Sequence, residues 1–171
     1  MSKYTSETWP IAAKMAFGTK ASNGEPLEHH PAEWRRQMEV VSKLGYSAFD
    51  PTDVWLPFWE MGADQAAEFL GIAEELGLSI PSLSMGRRSV VDKNHGAEYL
   101  ELAQTFVDFA QRCGASVVNV GFMQDFTPAQ QTATWFWLAD GHKDDPALRD
   151  LAVERIRVLA DYAAKAGVII S

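Results

Sequence analysis

Gln111–Phe122 reads QRCGASVVNVGF, the end of a helix-like run, a glycine, then an apolar strand-like run. The same phrase recurs three more times: SKLGYSAFD around Gly45, EELGLSIPSL around Gly77 and AKAGVIIS around Gly167. A glycine just past a helix lets the chain turn left-handed and stop. An apolar run directly after it suits a strand buried on both faces. Four copies predict (βα) units laid side by side in a parallel sheet.

Working outward, IAAKMAFGT at 11–19 reads as a first strand, and KASNGEPLEHH at 20–30 as a turn-rich loop. Pro31 suits a first helical position. Trp34, Met38, Val41 and Leu44 then recur at helical spacing up to Gly45. The second helix runs from about Asp64 to Leu76, with Ala66, Phe69, Leu70 and Ala73 on its apolar stripe. Asn94 is the expected cap of the third helix, whose stripe is Tyr99, Leu102, Phe106, Phe109 and Cys113. Asp145-Pro146 signals the start of the fourth, with Leu148, Ala152, Ile156, Leu159 and Ala163. Thr127-Pro128 predicts a short extra helix through Trp137. The strands fall near 11–19, 46–50, 78–85, 116–122 and 168–171, in a single domain over 1–171. Pro81 removes a ladder donor inside the third strand, so a local irregularity is expected there.

Two parallel architectures compete. A doubly wound sheet often carries a glycine-rich phosphate turn, and neither G-x-G-x-x-G nor G-x-x-x-x-G-K-[ST] occurs. A barrel needs no such turn. Eight units close a barrel. Five strands are read here, so the expected fold is α/β, (βα)4-β5, the first half of a TIM barrel. Open edges at the first and fifth strands invite pairing with another chain. The inner face of such a half-sheet is expected to expose apolar side chains, making the isolated chain prone to associate.

The 171 residues suffice for a packed core, and 47% apolar residues place the chain among globular proteins. A formal charge of −8 argues against nucleic acid, whose binding rests on Lys and Arg. No apolar run reaches membrane-spanning length. The lone Cys113 cannot form an internal disulfide, and a cytoplasmic setting is expected.

Helix-to-strand links are short and strand-to-helix links long, most of all Met123–Asp145. In a barrel the long loops share the face where active sites are built. Candidate substrate-binding residues on them are Lys20, Asp53, Trp55, Trp59, Arg87, Arg88, Trp135 and Trp137, with Asn119 in the fourth strand. The arginines offer a planar fork of donors for phosphate or carboxylate. The tryptophans offer flat faces to a sugar ring, or pack the rim. Asp50 and Asp53 could orient a hydroxyl, or serve as turn residues. His142, among Asp140, Lys143, Asp144 and Asp145, is the candidate catalytic residue, as a general base or a metal ligand, unless the cluster is simply a solvated loop. The four histidines do not converge on a metal site.

The KLGY-type junctions, SIPSLSMG, CGASVVNVGF and ERIRVLADYAAKAGVIIS together resemble the xylose isomerase-like barrel superfamily of sugar isomerases and epimerases. The resemblance covers nearly the whole chain. It implies a portion of a metal-dependent sugar (phosphate) isomerase or epimerase acting by proton transfer beside a carbonyl. A deglycosidase or lyase relative of the superfamily is one alternative. A non-catalytic half-barrel module that assembles with a partner chain is another. The family's full-length members are expected to hold Mn²⁺, Mg²⁺, Co²⁺ or Zn²⁺, with carboxylate and histidine ligands from strands five to eight. None of those ligands maps onto a residue here. The expected partners are a small carbohydrate, and a second copy or a complementing C-terminal half.

Overall fold

The computed structural model describes residues 11–16, 20–122, 124, 126–143 and 145–171, with only the backbone of Glu28 and Arg87. The elements run β1 Ala13–Met15, α1 Pro31–Lys43, β2 Phe49–Pro51, α2 Ala63–Glu75, β3 Ser82–Ser89, α3 Gly96–Cys113, β4 Val117–Gly121, a short α4 Pro128–Thr132, α5 Pro146–Lys165 and β5 Ile169–Ile170. Three single turns of tighter helix punctuate the loops at Leu27–His29, Phe58–Glu60 and Phe136–Leu138.

Gly45, Gly77, Gly114 and Gly167 all adopt positive φ, from 69° to 88°. The repeated phrase therefore has one physical cause: each helix ends by a left-handed residue that other side chains rarely tolerate. Every described ladder between strands is parallel. β1 pairs with β2, and β3, β4 and β5 form a trio. Two parallel bridges, Ala48 to Ser79 and Thr52 to Ser84, join the two groups. The strands thus follow chain order without a switch point, as a barrel requires and a doubly wound sheet does not. The expected (βα)4-β5 half of a TIM barrel is what forms.

The irregularity expected at Pro81 is present. Five residues on the β2 side, from Ala48 to Thr52, are matched by six on the β3 side, from Ser79 to Ser84. A larger bulge lies farther along β3. Ser84 pairs with Asn119 and Ser89 with Gly121, so Met85–Arg88 stand against Val120 alone. β3 consequently continues through Arg87 and Arg88, which the sequence placed beyond it. Residues 17–19 of the expected first strand lie outside the described residues, and β1 ends at Met15.

Two helix starts differ from expectation. Asn94 does not cap α3. The N-cap position is His95, whose side chain makes no cap bond, and the buried Asp92 closes the turn before it, accepting from the Asn94 and His95 backbone N–H groups at 2.8 and 2.7 Å. The extra helix stops at Thr132 rather than Trp137. Thr132 Oγ1 bonds back to the Pro128 and Ala129 carbonyls, a local alternative to helix continuation.

Helices α1, α2, α3 and α5 cover one face of the sheet. Met15, Phe49, Leu83, Met85, Val118, Val120 and Val168 are buried against them. The aromatic heart of that core is Trp34, Phe49, Trp55, Phe58, Phe69, Phe106 and Phe109, largely in edge-on contacts with centroids near 5–6 Å. Strand side chains alternate, so the other face carries Lys14, Asp50, Ser82, Ser84, Val117, Asn119 and Ile169. This corrects the expectation of an apolar inner face. Polar residues occupy most of it, and the apolar pair Val117 and Ile169 share one register position near the strand starts.

Candidate active site

The inner face converges on Asp50. Lys14 stands opposite it in the β1–β2 ladder. Ser82 and Ser84 of β3 both donate to Asp50 Oδ2, at 2.8 and 2.9 Å. Asn119 Nδ2 of β4 donates to Ser84 Oγ at 3.1 Å, so the chain of bonds crosses three strands. Asp50 Oδ1 is buried and lacks a hydrogen-bond partner. Burial pushes the Asp50 carboxyl above the usual carboxylate value; the two serine donors and Lys14 offset only part of that. An acid with a raised pKa and one unclaimed oxygen is suited to hydrogen-bond a hydroxyl or to carry a proton.

A second group sits at the β2 and β3 ends. The Asp53 side chain is 2% exposed, and its Oδ2 lies 3.0 Å from Arg88 Nε. Its Oδ1 accepts from the Gly86 N–H at 2.6 Å. Arg88 lies over the Trp59 ring at 5.7 Å, and Trp59 in turn stacks on Phe106 at 4.9 Å. The β3 bulge creates this arrangement by turning Arg88 back towards Asp53.

The loop after β4 folds on itself. Thr127 and Gln130 form a reciprocal cap of α4, and Thr127 Oγ1 donates to the Asp140 carbonyl at 2.8 Å. Phe126 stacks on Phe136, and Trp135 on Trp137 at 5.0 Å with both indoles more than half exposed. Beneath the loop lies a cavity of about 370 Å³ bounded by Phe122, Phe136, Gln130, His142, Lys143 and Arg149, among others.

The candidates named from sequence therefore divide into three places. Asn119 joins the Asp50 network. Asp53, Arg88 and Trp59 form one assembly, while the Arg87 side chain lies outside the described residues. Trp135, Trp137 and the exposed His142 belong to the β4–α5 loop. Two candidates lie away from all three. Lys20 is exposed in the loop after β1, bridged to Pro26. Trp55 is fully buried between Phe49 and Phe69 with its Nε1 on Gln37 Oε1, so its ring presents no free face. Sequence reasoning missed Lys14, Ser82 and Ser84. The signal available was alternation, since these polar residues interrupt otherwise apolar strands at every second position.

Among the described residues no three of His, Cys, Asp and Glu cluster so as to hold a metal ion. The donor set of the described residues thus does not fit the divalent site that the family implies. Nor is any helix of the described residues long and apolar enough to cross a membrane.

Parallel strands in chain order with helices on one face define part of a β/α barrel. A family model, Xylose isomerase-like TIM barrel, matches residues 38–171, and the chain belongs to that family. A xylose isomerase-like TIM barrel protein from Mycobacterium smegmatis, solved in complex with magnesium, is 43% identical, with a TM-score of 0.85. That match covers 98% of this chain and 55% of the other. D-psicose 3-epimerase from Clostridium cellulolyticum H10, solved with D-tagatose, is 14% identical, with a TM-score of 0.63 over 93% of this chain and 50% of its own. The 3-keto-D-glucoside 4-epimerase of E. coli is also 14% identical, with a TM-score of 0.61 over 94% of this chain and 55% of its own. These epimerases share the fold. The chain spans about half the length of the solved structures it matches. No curated protein matches the sequence.

Proposed function

We propose that this chain forms the substrate-facing N-terminal half of a sugar isomerase or epimerase that works by proton transfer next to a carbonyl. The observation that carries the reading is the bonded row Asp50–Ser82–Ser84–Asn119, with Lys14 alongside, on the inner face of a family barrel. Hydroxyls, an amide and a raised-pKa carboxyl are the groups that orient a polyol and handle its protons. In this reading Asn119 and the serines fix the carboxyl, Asp50 meets a substrate hydroxyl, and Lys14 steadies the negative charge that develops on a neighbouring oxygen. A divalent ion (Mn²⁺, Mg²⁺, Co²⁺ or Zn²⁺) would polarise the substrate oxygens when bound by the complete family barrel. The residues described here do not supply its ligands, and no step is assigned to it. The half-buried Cys113, its thiol pKa pushed up by burial, suits a reducing cytoplasm.

The test is a titration of the isotope-labelled chain with ketohexoses, read by NMR. Millimolar binding that moves the Asp50, Ser84 and Asn119 signals is expected. Unmoved signals at saturating sugar would overturn the reading.

A second reading concerns assembly. β1 and β5 each have only one paired neighbour among the described residues, which leaves two open edges. We infer that these edges pair with a second copy or with a complementing C-terminal half.

A further inference from the structure

The Asp53–Arg88 pair is built from several sides. The β3 bulge sets Met85–Arg88 against a single residue of β4. Gly86 passes so close to Asp53 that a Cβ there would lie 2.7 Å from Oδ1. Asp53 holds Arg88 by Nε, Trp59 supports the guanidinium from below, and 43% of the Arg88 side chain remains exposed. A guanidinium carries its N–H donors in one plane, and the exposed part of the side chain leaves some of them open to a ligand.

What those donors accept depends on net charge. A carboxylate 3.0 Å from Nε cancels most of the guanidinium's field, and its burial weakens the solvent screening that would otherwise blunt that effect. Direction survives and charge does not. The whole chain adds a repulsive −8 for any anion.

The geometry points to Arg88, held by Asp53, as a charge-compensated donor that selects uncharged, oxygen-rich ligands over phosphorylated ones. This deepens the sugar reading above and rests on it. Asp53 is here a positioning residue, which aims the fork and removes its attraction for phosphate. A neutral polyol gains two directed hydrogen bonds. A phosphate dianion meets the Asp53 charge behind the fork.

The experiment compares D-fructose, D-fructose 6-phosphate and inorganic phosphate on the full 171-residue chain, by NMR titration, with Arg88→Met, Arg88→Lys and Asp53→Asn. Wild type is expected to bind D-fructose more tightly than its phosphate, with little dependence on salt. Arg88→Met weakens D-fructose by about tenfold, the scale of one charge-assisted bond, and Arg88→Lys recovers little of it. Asp53→Asn uncovers the charge, and the preference moves towards the phosphate by about tenfold. A merely structural role for Asp53 would weaken both ligands together. Should Asp53→Asn fail to fold, the salt series on wild type decides: phosphate binding that is tighter than fructose and falls with salt overturns the proposal. Binding of D-fructose that ignores Arg88 overturns it too, while leaving the sugar reading intact. If folded wild type binds neither sugar, both fall.

Discussion

At the scale of single residues, Asp50 is the most informative position. Its carboxyl titrates higher in the folded chain than in the unfolded one because burial penalises the charge more than the serines and Lys14 reward it. Between the ordinary value of 3.8 and the raised folded value, the native state holds a proton that the unfolded state has lost. Its contribution to stability therefore falls as pH rises through that window and is level above it. Asp50→Asn removes this contribution. Unfolding free energies measured across pH should show wild type minus variant declining as pH rises through that window. A difference that is flat or rising would show that the carboxyl is not penalised by its surroundings. The sequence offered Asp50 only as a turn residue or a hydroxyl ligand. Its serine donors sit over thirty residues away on β3, and only register brings them together. Trp55 teaches the converse. An aromatic in a strand-to-helix loop looks the same in sequence whether it lines a pocket or plugs the core, and packing against Phe49 and Phe69 decided it.

Elements were more legible than sites. Each helix stop was visible because a single residue type performs it, whatever surrounds it. Gly114 at φ 74° follows α3, whereas Gly71 lies inside α2 with nothing within 4 Å of the point where a methyl group would stand. Alanine should therefore have opposite effects at the two. Gly114→Ala forces a left-handed alanine and should cost about 1–2 kcal/mol. Gly71→Ala removes unfolded-state freedom inside a helix and should gain about 0.5–1 kcal/mol. Thermal melts of both variants check the pair. Equal signs would mean that the left-handed stop is not what ends α3. The β3 bulge was illegible by contrast. Nothing in SMGRRS marks which residues pair, because a bulge is a relation between two strands rather than a property of one. The aim of Arg88 at Asp53 follows from that relation, so the site could be named from sequence but not assembled.

At the scale of the whole molecule, two features pull against each other. Among the described residues the outer edges of β1 and β5 carry no strand partner and offer backbone donors and acceptors to another chain, and Ile169, 63% exposed, lies beside Val117 as an apolar spot on the inner face. Against association stand the largely polar inner face and a charge of −8 on every copy. The electrostatic opposition is screened within about 10 Å at 0.1 M salt, while backbone pairing and apolar contact are not. Association should therefore grow with ionic strength as well as with concentration. Light scattering at low and physiological salt is expected to show a mass rising above that of one 19.0 kDa chain. Ile169→Lys adds a charge to the β5 edge and should return the protein towards the monomer, as charged edge residues do elsewhere. A single-chain mass at every salt and concentration, with one cooperative melt, would mean that the polar inner face is enough to keep the half-barrel alone.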